Sequence, residues 1–335
     1  MAKMIKHMQY LLKMQRNNAF RAKNRHHGAT HADYTHIYSD KSLTTHEKAV
    51  ESFCKWAETQ NIKRINQINH DVIGNYCLDL QKHGYSAWTI KCGITALNHI
   101  MVQTGHWDSN TVFSATTWNK QHQGNFSVQL KNKNRGEIWN NHRQTAEQWR
   151  KDHQTLYEHN KQLIDTARAF GVRKSELCHI SKEKPALIAN SFFSHQGKLY
   201  AFVPYGKGGR PRFAQCRSDL KNEMLGYYHF QPLTKLPASM YEVKNFRNLF
   251  VKKNEENYRK DHYIFDNHIS GRLRFHIQRA EYANVRLTEE FTKWGRYNNT
   301  QKTINGVTGN VMAFKRVAND LGHGRIDVLG NYIGS

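Results

Sequence analysis

Apolar residues recur at helical spacing along the first third of the chain. Between residues 42 and 101 the apolar positions repeat every three to four residues, as they do in amphipathic helices. Ser42 or Thr44 is a candidate N-cap for the first helix, the second follows Asn69, and the third begins near Ser86. The three apolar stripes are Ala49, Val50, Phe53, Trp56 and Ala57; Val72, Ile73, Tyr76, Cys77 and Leu80; and Trp88, Ile90, Ile94, Leu97, Ile100 and Met101. This pattern predicts a small helical bundle.

The pattern differs in the second half of the chain. A helical stripe (Trp149, Leu156, Tyr157, Leu163, Ile164 and Ala167) leads to Gly171, and another helix is predicted from Val311 through Leu321. The β-like segments between them are 186–189, 199–203 and 212–214. Glycines in the turn 205–210 separate the last two segments and predict a hairpin. The predicted fold class is therefore mainly α with a small antiparallel sheet (α+β).

These patterns divide the chain into four regions. We predict a basic tail or arm over 1–38, a helical domain over 39–120, a linker over 121–145 and a second domain over 146–335. The basic residues before the first acid, Asp33, are Lys3, Lys6, Lys13, Arg16, Arg21, Lys23 and Arg25. Two interpretations of this tail stay open, a disordered segment and an arm that neutralises phosphates.

Composition indicates the class of partner. The 335 residues include 50 Lys and Arg against 27 Asp and Glu, which gives a formal net charge of +23. Together with 38% hydrophobic residues, this charge fits a folded protein that meets a polyanion. An acidic membrane surface is the rival partner. However, no apolar run approaches the roughly 18 residues of a membrane span and no signal peptide is recognisable, so no membrane partner is predicted.

The cysteines and histidines do not suggest a metal or disulfide framework. The five cysteines, Cys54, Cys77, Cys92, Cys178 and Cys216, are far apart and have no C-x-x-C spacing. A reducing cytoplasm is the simplest location. The histidines that invite a metal hypothesis are His26, His27, His31 and His36, but no carboxylate or cysteine completes a ligand set there. We predict neither a metal nor a cofactor.

Four short motifs in the last 165 residues carry candidate chemistry. The first, Gly171-Val-Arg-Lys-Ser-Glu-Leu177, combines a helix break with Arg173 and with Glu176, which is placed to pin the guanidinium. The turn Tyr205-Gly-Lys-Gly-Gly-Arg210 contains two candidate cations and is not a P-loop. His276 and Arg279 are three residues apart and share a helix face. Leu321-Gly-His323 precedes Tyr332, with nine residues from the histidine to the tyrosine.

Each motif alone has an ordinary structural explanation, but their joint order resembles the tyrosine recombinase (phage-type integrase) family. The segment from Thr44 to Ile100 resembles the family's SAM-like core-binding domain. The resemblance covers about 290 residues. It implies a helical core-binding domain followed by a C-terminal catalytic domain that cuts and rejoins DNA through a 3′-phosphotyrosyl intermediate, without a nucleotide cofactor.

The resemblance also implies roles for individual residues. Tyr332 would be the nucleophile, Arg173 and Arg279 would hold the non-bridging phosphate oxygens, and Lys207 would protonate the leaving 5′ oxygen. The remaining candidates are His276 as general base or hydrogen-bond partner of the phenol, His323 as donor to a phosphate oxygen, Glu176 behind Arg173, and Lys91 as a phosphate contact. Arg210 is the alternative to Lys207, but a guanidinium is a poorer acid. For Lys91 the alternative, a lysine on a solvated helix face with no contact to DNA, is equally open.

The implied function is site-specific recombination. We expect double-stranded DNA attachment sites as partners, a homotetramer on synapsed DNA, a Holliday junction intermediate, and a DNA-bending accessory protein or excisionase. Integration or excision of a mobile element is favoured because the basic tail suggests additional DNA contacts. Alternatives are a type IB topoisomerase or telomere resolvase with the same chemistry, and a decayed relative that only binds DNA.

Two departures from the family's usual pattern concern assembly. Many relatives have a further C-terminal helix that docks on a neighbouring protomer, whereas three residues follow Tyr332 here. The interval from Arg279 to His323 is also long, at 44 residues, and 283–310 is interpreted as an insertion that is partly loop. We expect this insertion or the N-terminal tail to contribute to the tetramer instead.

Overall fold

A computed structural model describes residues 2–17, 34–122, 126, 146–178, 186–206, 209–265, 273–295 and 300–333. The chain divides into two compact units, residues 1–132 and 133–335. This division lies within the predicted linker 121–145, most of which is outside the described residues. The two units are described separately below.

The first unit is a helical bundle. Its α-helices are α1 (Ala2–Met14), α2 (Asp40–Thr59), α3 (His70–Lys82), α4 (Ala87–Gln103) and α5 (Ala115–Gln121), with a 3₁₀ turn at Ile65–Gln67. The predicted starts at Asn69 and Ser86 are confirmed, since both side chains cap their helices. The predicted cap of α2 is wrong, because Ser39 accepts a hydrogen bond from the Ser42 backbone N–H at 3.1 Å.

The three predicted stripes form most of the core of this unit, with one exception. The buried side chains include Val50, Phe53, Ile73, Tyr76, Ile90 and Leu97. Trp88, a predicted member of the apolar stripe of α4, is instead 54% exposed. It precedes Ile90 by two residues, which is roughly 200° around the helix, so it lies opposite the buried face of Ile90, Leu97 and Met101.

The prediction of a separate basic tail over 1–38 is wrong for its first residues. Residues 2–14 form α1, and its Met4, Met8 and Leu12, spaced by four residues, are buried in the same core as α2 and α4. The lysines of this segment lie on the opposite, solvated face of the helix. Residues 18–33, which include Arg21, Lys23 and Arg25, lie outside the described residues.

The second unit contains nine of the described α-helices. They are α6 (Ala146–Asp152), α7 (Gln154–His159), α8 (Lys161–Phe170), α9 (Lys174–Leu177), α10 (Lys221–Tyr227), α11 (Met240–Lys253), α12 (Glu255–Arg259), α13 (Phe275–Trp294) and α14 (Val311–Asp320). Short 3₁₀ turns occur at Ala189–Ser191, Ser218–Leu220 and Ile326–Asn331. The helical stripe predicted before Gly171 is three short helices, while the predicted helix from Val311 is confirmed as α14.

A four-stranded sheet holds the predicted hairpin. Its strands are β1 (Phe192–His195), β2 (Lys198–Val203), β3 (Arg212–Gln215) and β4 (Gln231–Pro232), in the order β3-β2-β1-β4. The β2–β3 hairpin is antiparallel, with Val203 opposite Arg212, as predicted. The strand expected at 186–189 is wrong, because Ile188 makes a single bridge to Tyr263 and the chain then turns. β1 was not predicted, and the short β4 pairs with it in parallel.

Most of the described residues in the long interval before His323 form helix or strand. Residues 283–294 continue α13, and β5 (Gln301–Ile304) and β6 (Val307–Asn310) form an antiparallel hairpin. Asn305 and Gly306 connect these strands with φ of 49° and 79°, the positive values of a two-residue type I′ turn. Of the glycines expected in a loop within 283–310, Gly306 lies in this turn, whereas Gly309 lies in β6 and that part of the expectation is wrong. Residues 296–299 are outside that part.

The predicted fold class, mainly α with a small antiparallel sheet, is confirmed, with the parallel β1–β4 pair as an addition. Among the described helices, no segment combines the length and apolar character needed to cross a bilayer.

Candidate functional site

The turn after α8 positions the first arginine. Gly171 ends the helix with φ of 59°, a backbone conformation that favours glycine. An added Cβ would also clash with the ring of Tyr282, so there is no space for a side chain. The chain then restarts as α9, with Arg173 at its N-cap. Glu176 Oε2 accepts from the Arg173 backbone N–H at 2.8 Å, and Glu176 Oε1 accepts from Arg173 Nη1 at 2.7 Å. The predicted pinning of Arg173 by Glu176 is therefore present in the structure.

A second arginine reaches the same place from α13. Arg279 is 1% exposed and donates from Nη1 to the Gly171 carbonyl and from Nη2 to the Leu321 carbonyl. His276, three residues earlier on the first turn of α13, has an exposed side chain. The helix thus buries Arg279 against two backbone carbonyls and leaves His276 at the surface, one turn away.

The C-terminal end of α14 gathers the arginines. The Asp320 carbonyl accepts from Arg212 Nε at 2.7 Å, and the Leu321 carbonyl accepts from both Arg173 Nη2, at 3.3 Å, and Arg279. The last carbonyls of a helix have no partner inside it and carry its negative dipole end, so they suit guanidinium groups. Gly322 then reverses the chain with φ of 71° and brings His323 beside Arg279, with 3.5 Å between His323 Nε2 and Arg279 Nη2.

Tyr332 completes the cluster. It follows the 3₁₀ turn Ile326–Asn331, and its Oη accepts a hydrogen bond from Arg279 Nε at 3.3 Å. The Arg279 guanidinium carbon lies 5.3 Å from the tyrosine ring centroid, and the His323 ring lies 5.6 Å from it. Two side-chain amides hold the terminal segment, since Asn284 Nδ2 donates to the Tyr332 carbonyl at 3.0 Å and Asn305 Nδ2 to the Ile333 carbonyl at 2.8 Å. Part of the 283–310 region therefore anchors the tyrosine.

The electrostatics of the cluster favour an anion. Burial alone would raise the pKa of Glu176, but the charges of Arg212 and Arg173 hold it well below the usual carboxyl range, so the carboxylate stays ionised. Burial, reinforced by the nearby charge of Arg173, lowers the pKa of Arg279 to about 10. Three guanidinium groups thus face one carboxylate. A phosphodiester placed among them would supply the missing negative charge.

The hairpin turn supplies one further described cation. Arg210 is exposed, and its carbonyl accepts from the Gly206 backbone N–H at 3.0 Å, which closes the turn. A Cβ on Gly324 would clash with the Arg210 guanidinium, so this side chain lies against the residue after His323. Lys207, the predicted acid, lies outside the described residues. Lys91 is an exposed residue of α4 in the first unit.

One residue of the cluster was not predicted from the sequence. Arg212 is 5% exposed and donates to both oxygens of Glu176, from Nη1 at 3.0 Å and from Nη2 at 2.7 Å. The only local signal is an arginine on a strand whose neighbours alternate between buried and half-buried positions. The structure therefore brings together Arg173, Glu176, Arg279, His323 and Tyr332, and adds Arg212. The catalytic roles assigned to these residues stay predictions.

A second ionic cluster stabilises the same unit. Glu281 on α13 accepts hydrogen bonds from three arginines, Arg150 at 2.7 Å, Arg168 at 3.1 Å and Arg217 at 2.8 Å. Burial opposes ionisation of this carboxyl, but the arginines lower its pKa to about 2. Across the described residues, no group of three His, Cys, Asp or Glu side chains is arranged to hold a metal ion. Of the histidines considered for a metal, His26, His27 and His31 are outside those residues.

Glu281→Gln is expected to destabilise the second unit at neutral pH by about 3 kcal/mol, because a carboxyl whose pKa falls from 4.5 to about 2 on folding stabilises the folded state by that order. The contribution is fully present above pH 4.5 and is lost as pH falls toward 2. Urea unfolding at pH 7 and pH 3.5 should therefore show a gap between wild type and variant that narrows on acidification.

Glu147→Gln is the control for this measurement. Glu147 pairs with Lys151 on the surface of α6, with both side chains 67% exposed, so its loss should change stability little at either pH. A pH-independent gap for Glu281→Gln would contradict the assignment.

Comparison with known proteins identifies the first unit. Residues 35–101 match the family model described as the phage integrase N-terminal SAM-like domain, which confirms the predicted resemblance to phage-type integrases over this segment. No significant match was found among curated proteins.

Two similar solved structures are of the Tn1549 transposon integrase. The one in complex with transposon right end DNA has 13% sequence identity and a TM-score of 0.41, with 98% of this chain and 95% of that chain covered. The one in complex with circular intermediate DNA has 12% identity and a TM-score of 0.39, with the same coverage. At these scores, neither structure by itself defines the fold.

Proposed function

We propose that the protein is a site-specific DNA recombinase that cuts and rejoins DNA strands through Tyr332. The observation that carries the proposal is the hydrogen bond between Tyr332 Oη and the buried Arg279, beside Arg173 and His323. A phenol held among guanidinium groups suits attack on a phosphodiester. The SAM-like domain of phage integrase type in the first unit supports the same conclusion.

In the proposed reaction, Tyr332 Oη forms a bond to the scissile phosphorus and the bond from phosphorus to the 5′ oxygen breaks. The products are a 3′-phosphotyrosyl link and a free 5′ hydroxyl. One phosphodiester replaces another, so the link keeps the energy needed for rejoining and the reaction needs neither a nucleotide cofactor nor an oxidant. A 5′ hydroxyl from the partner strand then attacks the phosphotyrosine and releases Tyr332.

The charge that develops on the phosphate oxygens is balanced by the arginines. Arg173 and Arg279 approach from two directions, since their elements meet at the Leu321 carbonyl, and each guanidinium has further N–H groups with which to bind the phosphate. His323, 3.5 Å from Arg279 through its Nε2, would donate to a non-bridging oxygen. His276 would accept the phenol proton, or hydrogen-bond the phenol, once DNA covers the exposed start of α13.

The leaving 5′ oxygen needs a proton, and we propose Lys207 as its donor. The lysine belongs to the turn between β2 and β3, and Arg210 at the end of this turn lies against Gly324. The described end of the turn, at Arg210, is therefore next to the residue that follows His323. Arg210 would contact the DNA backbone, since a guanidinium holds its proton too firmly to act as an acid.

Lys207→Ala is expected to slow cleavage of ordinary DNA by roughly 10²-fold, the usual contribution of a general acid. A substrate with sulfur in place of the bridging 5′ oxygen should bring the variant within about tenfold of wild type, because a thiolate leaves without protonation. Single-turnover cleavage of the two substrates measures this. Rescue of Arg210→Ala rather than Lys207→Ala would transfer the acid role to Arg210.

DNA is the proposed partner, and the net charge of +23 supports it. The first unit would bind the duplex near the reactive strand, with the exposed Lys91 on α4 as a phosphate contact. Exchange between two duplexes requires four active sites, so we propose a homotetramer that passes through a Holliday junction. Integration or excision of a mobile element is the proposed task, with a DNA-bending protein or excisionase as accessory and the cytoplasm, at the nucleoid, as the location.

Covalent trapping tests the proposal. Cleavage of a nicked duplex with a candidate attachment site frees the short fragment that has the new 5′ hydroxyl. Because this fragment diffuses away, the strand cannot be rejoined and the covalent adduct accumulates. A band that is shifted on a denaturing gel and removed by protease supports the transesterase. Tight binding without an adduct on any duplex would support a decayed DNA-binding protein instead. Relaxation of supercoiled DNA that lacks attachment sites would indicate a type IB topoisomerase.

A further inference from the structure

Arg212 connects two elements of the site through buried hydrogen bonds. It lies on β3, is buried, and makes three hydrogen bonds, to both oxygens of Glu176 and, from Nε, to the Asp320 carbonyl at 2.7 Å. Its partners belong to α9 and to the end of α14. Arg212 thus joins the element that carries Arg173 to the helix that precedes His323.

The surrounding backbone is shaped around this guanidinium. An added Cβ at Gly206 would lie 2.8 Å from Arg212 Nη1, and one at Gly322 would lie 3.1 Å from the same atom. These glycines belong to the hairpin turn and to the turn before His323, so both turns pack directly on Arg212. Three separate segments of the site therefore depend on one side chain for their spacing.

The partners of Arg212 differ from those of Arg279. Arg279 donates to the Tyr332 hydroxyl, whereas the bonds of Arg212 go to Glu176 and to the Asp320 carbonyl, which support Arg173 and the end of α14. Each Glu176 oxygen accepts from both arginines, Oε1 from the two Nη1 atoms and Oε2 from the Arg173 backbone N–H and Arg212 Nη2. If Arg212 were lost, Glu176 would keep only its bonds to Arg173, and the α14 carbonyl would lose its donor.

We propose that Arg212 is a positioning residue for strand cleavage. It fixes Glu176 in the orientation that aims Arg173 at the scissile phosphate, and it ties the α14 terminus to the same carboxylate so that Arg173 and His323 keep their separation. This inference rests on the proposed function. Its consequence is a defect in the chemical step that operates through Arg173 and leaves DNA affinity unchanged.

A double-mutant cycle between Arg212→Met and Arg173→Lys tests this inference. The rate measured is single-turnover adduct formation with saturating nicked duplex, and it is expected to fall roughly 10- to 100-fold for Arg212→Met, while the Kd for DNA stays within about twofold. In an Arg173→Lys background, the Arg212→Met change should slow the reaction by less than about threefold, because the group that Arg212 positions has already been altered.

Arg217→Met is the matched control. Arg217 is equally buried and pairs with Asp219 and Glu281 rather than with Glu176, so its removal tests the effect of losing any buried arginine. Arg217→Met should change the rate of adduct formation by the same factor in the wild-type protein and in the Arg173→Lys protein. Arg212→Lys should recover only part of the rate, since one ammonium cannot span both Glu176 oxygens and the Asp320 carbonyl.

The outcomes separate this inference from the proposed function. The positioning role would be overturned if the fold-reductions in rate of Arg212→Met and Arg173→Lys multiplied in the double variant. Full recovery of the rate with Arg212→Lys would overturn it as well. If Arg212→Met does not fold, the same cycle with Arg212→Lys decides the question. Absence of any adduct from the wild-type protein on cognate duplexes would instead contradict the proposed function.

Discussion

Tyr332→Phe is expected to abolish covalent attachment to DNA, with a loss of more than roughly 10⁴-fold, while DNA binding is retained. The substitution removes only the oxygen that would attack the phosphorus, together with its hydrogen bond from Arg279. One such bond contributes about 1 kcal/mol to stability, so the fold should persist. Adduct formation on nicked duplexes and a binding titration with the same duplex measure the two quantities.

Tyr282→Phe is the matched control for this variant. The Tyr282 hydroxyl also lies in the second unit, but it donates to the Gln215 carbonyl at 2.7 Å and has no role in the proposed reaction. This variant should keep its covalent activity. Retained attachment in Tyr332→Phe would place the nucleophile elsewhere.

Arg279→Lys should lower the rate of adduct formation by about 10²- to 10³-fold, the loss expected when a donor to the reacting phosphate is removed. Lysine keeps a positive charge, but one ammonium cannot contact the carbonyls of Gly171 and Leu321 and also donate to Tyr332 and the phosphate. The effect should be on the rate with saturating DNA. Single-turnover kinetics over a range of DNA concentrations separates this from weaker binding.

Arg217→Lys provides the comparison for a buried arginine outside the cluster, and it should leave the rate per folded molecule within a few-fold of wild type. A near-normal rate for Arg279→Lys would mean that charge alone is sufficient at this position. That result would contradict the proposal that the Arg279 guanidinium itself binds the phosphate.

Local spacing explains which parts of the site could be predicted from sequence. Gly171, Arg173 and Glu176 are within six residues, and a helix break followed by a carboxylate at i+3 fixes their relation without tertiary information. The approach of Arg279 and Tyr332 came from the resemblance to a family, since no local rule relates residues 53 positions apart. Arg212 was missed because its role depends on the strand register and on the end of α14, neither of which its neighbours in sequence reveal.

Two errors in the fold prediction have identifiable causes. The charge of residues 1–32 obscured the four-residue spacing of Met4, Met8 and Leu12, which places α1 in the core. In the later hairpin, Asn305-Gly306 is a strong turn signal, but the first three residues of β5 are exposed and polar and show no apolar alternation. The contact of Asn305 with the Ile333 carbonyl is the reason that this hairpin matters for Tyr332.

The most direct test of the central claim is to identify the residue that becomes attached to DNA. The trapped adduct would be digested with nuclease and protease, and the nucleotide-bearing peptide analysed by mass spectrometry. We expect the 3′ phosphate on Tyr332, in a peptide that covers residues 326–335. The Tyr332→Phe protein should give no nucleotide-bearing peptide. A nucleotide on any other side chain, or a phosphate attached through a 5′ end, would contradict the mechanism.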